Sequence, residues 1–203
     1  MRAALSIVVL VAALAVLAGA RQAFPHAHSA ARKDDFSVRL DRVAQAISGR
    51  HDVSVRCGET ADPSILGTVL FYGHVPGREA LLAPQVCGTL ERLWKRGGPS
   101  LACTQIGGGQ CGKEVVALAW ATSALAHESY HLRGVRNEAA AECYGLQSTA
   151  FTARALGAPP AYATRLAEYT FWNVRPPVDF GYFSPECRDG GRLDLRPQTS
   201  RWP

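Results

Sequence analysis

Residues 115–126 read VVALAWATSALA, a run apolar nearly all round. A helix carrying such a run belongs inside a domain, because it has no polar face to offer water. Polar side chains return abruptly at its end, as His127-Glu128-Ser129-Tyr130-His131, and Gly134 supplies a helix stop. A second helix is predicted over residues 137–155, with Asn137 as its cap and an alanine-rich first turn. Upstream, Phe36, Leu40, Val43, Ala44 and Ile47 recur at helical spacing, and Ser48-Gly49 closes that helix. Alternation over residues 53–57 predicts a strand, and the β-formers of residues 67–74 a second; residues 80–83 read as a third, short one. Residues 86–94 and 161–172 read as further helices. Residues 174–203 are rich in Pro and Gly and are expected to lack regular structure, pinned by Cys187 and by aromatics. The order of helix, strands and then helices predicts an α+β domain, rich in helix with a small sheet.

The chemistry gathers at the end of the apolar helix. His127 and His131 are four apart and so share a helix face, where both imidazoles can meet one metal ion with Glu128 beside them. That is the pattern of a zinc hydrolase: two His ligands and a carboxylate that accepts a proton from water. The bland alternative is a pair of helix-end histidines that hydrogen-bond the chain. A catalytic zinc takes a third protein ligand. Glu138 and Glu142 also lie four apart on the next helix. One of them can bind the metal while the other accepts the free N–H of a ligating His; the competing reading makes both solvated surface acids.

His127-Glu128-x-x-His131 followed by Glu138-x-x-x-Glu142 resembles the gluzincin metallopeptidases. Residues 138–144 (EAAAECY) are also similar to a segment of the small neutral zinc metallopeptidases of bacteria. The resemblance covers residues 113–150. It implies a zincin-like fold with the sheet beside the active helix, a Zn2+ cofactor and a peptide or protein substrate. It also implies His127, His131 and Glu138 as zinc ligands, Glu128 as general base, and Glu142 as the acid that orients a His. In such peptidases a strand beside the active helix pairs with extended substrate, and residues 79–83 are expected to form that edge. A metzincin needs a His where this chain has Asn137, which argues against that branch. Tyr169, Tyr182 and His74 are candidates for a second donor to the reacting carbonyl; Tyr130, inside the motif, is expected to pack or to face solvent. Two rival readings stay open: a non-catalytic domain stapled by a structural zinc, and a zinc amidohydrolase acting on cell-wall amides. The motif defines water activation, not the bond attacked.

Composition bears on compartment. Residues 3–20 form an apolar stretch after Met1-Arg2 and end in Ala18-Gly19-Ala20, which reads as a signal peptide, with a membrane anchor as the alternative. Residues 21–34 read as a linker and residues 35–203 as the metallopeptidase domain; the expected location is secreted or extracytoplasmic. All six cysteines follow the leader, and no C-x-x-C occurs. In an exported chain this reads as up to three disulfides, whose pairing the sequence leaves open. One arrangement joins Cys103 to Cys111 around a glycine loop and Cys143 to Cys187, leaving Cys57 with Cys87. The net charge of +5 is scattered, with no basic stripe interleaved with aromatics, so nucleic acid is not implied.

Overall fold

A computed structural model describes residues 33–105, 111–174, 181–199 and 202. The leader or anchor expected over residues 3–20, and nearly all of the linker, lie outside the described residues. No helix among the described residues is long and apolar enough to cross a membrane.

Helix α1 (Asp35–Ser48) starts where the Asp34 carboxylate accepts from the Ser37 N–H, and it ends at Gly49 in the left-handed conformation. Its buried stripe is the one that the periodicity marks: Phe36, Leu40, Val43, Ala44 and Ile47. Strands β1 (Ser54–Cys57), β2 (Gly67–Tyr72) and β3 (Val75–Leu82) form one sheet in the order β1-β3-β2. β1 runs parallel to β3, and β2 and β3 form an antiparallel hairpin. Helices α2 (Pro84–Arg96), α3 (Lys113–Arg133), α4 (Glu138–Ala155) and α5 (Pro160–Asn173) follow, with one 3-10 turn (Ala102–Gln105) before α3. The described chain is thus an α+β fold of five helices and a three-stranded sheet.

One expectation about the sheet is overturned. Residues 79–83 do not form an edge. Ala80 pairs with Val55 on one side and Val69 on the other, so β3 is the central strand and begins at Val75 rather than near residue 80. A short apolar run reads equally well as a central or an edge strand, because burial on both faces looks the same from either position. The edge strand that packs against α3 is β2.

α3 is the spine of the domain. It packs against α1, α2, α4 and α5 and against β2 and β3, which is why its sequence is apolar nearly all round. Leu118, Ala119, Leu125, Ala126 and Leu132 are essentially without solvent exposure. Burying a Leu of this kind contributes about 1.5–3 kcal/mol each.

The six cysteines form three disulfides: Cys57–Cys87, Cys103–Cys111 and Cys143–Cys187. They point to an extracellular or otherwise oxidising environment. The third fastens the described part of the irregular C-terminal segment to α4. Buried Gln147 reinforces it: its Nε2 donates to the Leu193 carbonyl at 2.7 Å, and its Oε1 accepts from the Leu195 N–H at 2.8 Å. Backbone groups that no helix or strand satisfies are satisfied there by a side chain.

Candidate metal centre

The site assembles where α3 ends and α4 begins. Gly134 takes a left-handed conformation (φ 108°) that stops α3 and turns the chain. The turn brings the Val135 carbonyl to His131, whose Nδ1–H donates to it at 2.6 Å. The Asn137 side chain then caps α4 by accepting from the Ala140 N–H at 2.8 Å, so Glu138 is the first helical residue and faces back toward α3. One helical turn on, Glu142 Oε2 accepts from His127 Nδ1–H at 3.0 Å.

Close helix packing makes this reach possible. A Cβ at Gly145 would lie 3.1 Å from the backbone N and 3.2 Å from the Cα of His127. Gly145 therefore lets α4 press against α3 at the level of the first histidine. Glu138, Glu142 and Gly145 lie on one face of α4, by the three- and four-residue spacing of a helix.

With both Nδ1 positions committed as donors, the two Nε2 atoms of the neutral rings are bare acceptors. They face each other at 2.9 Å. Glu138 Oε2 completes the triangle, 3.1 Å from His127 Nε2 and 3.2 Å from His131 Nε2. Three lone pairs converging at such distances repel unless a cation sits between them. That cation is either a proton or a metal ion. His127, His131 and Glu138 are the group among the described residues able to hold a metal. Both histidines are buried, and Glu138 is half-exposed, so the group opens to solvent on one side.

The electrostatics follow from this convergence. Burial by itself would keep the His127 ring neutral. It is outweighed by hydrogen bonds to Glu138 and Glu142 and by the charge of Glu128, which together raise the pKa to about 10. The hydrogen bonds from His127 and His131 hold Glu138 down at about 2. Glu128 goes the other way: burial raises it to about 7, against the pull of the two histidines. Its Oε2 is buried without a hydrogen-bond partner. A carboxyl group tuned near neutrality beside a candidate metal site suits proton transfer.

β2 runs across this face. A Cβ at Gly67 would fall 2.6 Å from Glu128 Cγ and 2.9 Å from Leu82 Cδ2, so no side chain fits there. Farther along, the Phe71 ring meets His131 edge-on at 6.0 Å between centroids. Arg136 lies over the Phe71 ring and donates to His74 Nδ1. That pairing uses the His74 ring at the hairpin turn. Tyr169 is buried in α5 and lines a different cavity. Of the three candidate donors only Tyr182 reaches the site, its ring 6.0 Å from His127. Burial and the nearby carboxylates of Glu138, Glu128 and Glu142 raise its pKa. Tyr130 packs, with its hydroxyl 3.0 Å from Ser148 Oγ. A groove of about 640 Å³ leads into the site between α3, the start of α2 and the loop before β2.

Gly67, Gly145 and the Val135 carbonyl were not legible as site elements in the sequence. A glycine carries no chemistry, and what it admits is visible only once its neighbour is in place. No protein-family model, no curated protein and no solved structure matches the chain.

Proposed function

We propose that this chain is an exported zinc-dependent peptidase of gluzincin type. The observation that carries the reading is the triangle of His127 Nε2, His131 Nε2 and Glu138 Oε2 with the buried Glu128 carboxyl beside it. The edges of 2.9, 3.1 and 3.2 Å approach the roughly 3.3 Å between ligand atoms of a tetrahedral zinc with bonds of about 2.0–2.1 Å. Two imidazoles and a carboxylate are also the donor set that suits zinc.

His127, His131 and Glu138 would hold the ion. Glu142 and the Val135 carbonyl fix the two ring tautomers so that both Nε2 atoms point at it. Bound zinc supplies Lewis acidity toward water and the scissile carbonyl. Glu128 accepts a proton from the attacking water and delivers it to the leaving amine. An extended substrate lies along the open edge of β2, whose backbone can add a strand while Gly67 leaves room beside Glu128.

The structural-zinc reading asks for a fourth protein ligand. Glu142 is engaged at the far nitrogen of His127 instead, which leaves three donors among the described residues and favours catalysis. Zinc analysis combined with turnover of an unbiased peptide mixture by wild type and Glu128→Gln tests the proposal. One zinc per chain in both proteins, with cleavage by wild type alone, supports it. Zinc without any cleavage by wild type refutes it.

A further inference from the structure

We infer that the groove leading into the His127–Glu128 site binds a bulky, uncharged apolar side chain of an extended peptide. The inference rests on the peptidase reading for its occupant and on the groove alone for its chemistry.

The groove ends on His127 and Glu128, so whatever lies in it continues into the reacting position. Its floor is the outward face of α3. Ala117, Ala121 and Ala124 follow one another at helical spacing, and their small side chains leave the depth open. Ile65, Val86 and Trp120 form the walls. The charged side chains in its lining are Glu128 and Glu142, both at the metal end. Ser64, Gln85, Thr89 and Ser123 add neutral polar groups to the lining, but a Lys, Arg, Asp or Glu side chain lying along Ile65, Val86, Trp120 and the three alanines would lose water and meet no opposite charge there. An apolar one loses nothing and removes hydrocarbon from water.

Two observations separate this groove from an incidental crevice. The first is its construction. The Cys57–Cys87 disulfide ties β1 to α2 at one wall. The loop before β2 is braced by Ser64 N–H donating to Asp62 Oδ1 at 2.8 Å and by Thr60 Oγ1 donating to the Ile65 carbonyl at 3.1 Å. A pocket held open before its ligand arrives spends little ordering entropy on binding. The second is exposure. Ile65 and Tyr182 are large apolar rings or chains left 39% exposed, and both face the groove. Apolar surface gathered at one concavity marks a binding site.

The test uses the zinc-loaded Glu128→Gln protein, which binds without turnover. Calorimetry measures three blocked pentapeptides, alanine throughout except for a central Phe, Lys or Glu. The Phe peptide is expected to bind at least about 10-fold more tightly than either charged one. Ile65→Glu, at an exposed position that leaves the core intact, is expected to reverse the order of the Phe and Lys peptides. Ala124→Leu, which fills the floor, is expected to weaken the Phe peptide alone. Equal affinity for all three peptides, or an order untouched by Ile65→Glu, overturns the inference. Cleavage of a peptide mixture by wild type with no apolar preference also overturns it while leaving the peptidase reading intact. Preference in binding without any cleavage by wild type supports the groove and sinks the peptidase reading.

Discussion

Gly67 lies so close to Glu128 that a single added methyl group would come within 2.6 Å of its Cγ and 2.9 Å of its Oε1. The first residue of β2 thus sets where the candidate general base can sit. Leu82 closes the other side of the same space. Gly67→Ala is expected to push the Glu128 carboxyl off its position without touching a proposed zinc ligand. Turnover should fall about 100-fold, the cost of misplacing a reacting group by about 1 Å, while zinc content stays at one per chain. Undiminished turnover would show that the Glu128 position is not critical.

The ligand and base assignments separate cleanly by metal analysis. His131→Ala removes one corner of the triangle and is expected to lose zinc. Glu128→Gln keeps zinc and loses turnover by about 100-fold or more, the usual contribution of a positioned acid or base. Stoichiometric zinc in a folded His131→Ala protein would contradict the ligand set.

Glu138 and Glu142 can be told apart in the same way. Glu138→Ala deletes a donor from the triangle. Glu142→Gln leaves an oxygen for His127 Nδ1–H but removes the charge, which is expected to weaken zinc about 10–100-fold. The loss at Glu138 should be the larger, and competition with a chelating dye measures both. The reverse order would exchange their roles.

On the proposed reading, zinc and a proton compete for the same nitrogen of His127. Without metal, His127 holds its proton up to about pH 10. Below that pH, zinc must displace the proton, so apparent affinity should rise about tenfold per pH unit and level off above it. At pH 7 zinc uptake should release about one proton, read by calorimetry in buffers of different ionisation enthalpy. Uptake without proton release would mean that His127 Nε2 carries no proton at pH 7 in the metal-free protein, against its raised pKa.

The C-terminal segment should be a stabilising strap. The Cys143–Cys187 bond closes a loop of 44 residues, worth about 4 kcal/mol in the chain-entropy description. The double Cys→Ser variant is expected to lose about 2–4 kcal/mol in chemical denaturation. It should also free Tyr182 from His127, visible as altered ring-current shifts of the His127 protons. An unchanged midpoint would mean that Gln147 holds the segment unaided.

The helices were legible because a helix is a local object. The period of Phe36, Leu40, Val43, Ala44 and Ile47, the stops at Gly49 and Gly134 and the Asn137 cap all act within a few residues. His127 and His131 share a face for the same reason, and Glu138 follows them closely enough in sequence to return to that face. The strands were less legible. Their order depends on partners far apart in the chain, so nothing local in residues 79–83 distinguishes an edge from the central strand they help to form.

By itself, then, the sequence determined five helices, an acid-and-imidazole cluster at the end of the most buried of them, and cysteines suited to an oxidising compartment. Only the tertiary structure decided what surrounds that cluster. Gly67 and Gly145 act by leaving space for Glu128 and His127, Val135 by a carbonyl, and Tyr182 by a strap that a distant disulfide holds in place. Each of these depends on a close approach between segments separated along the chain, and no local pattern of residues encodes a distance of that kind.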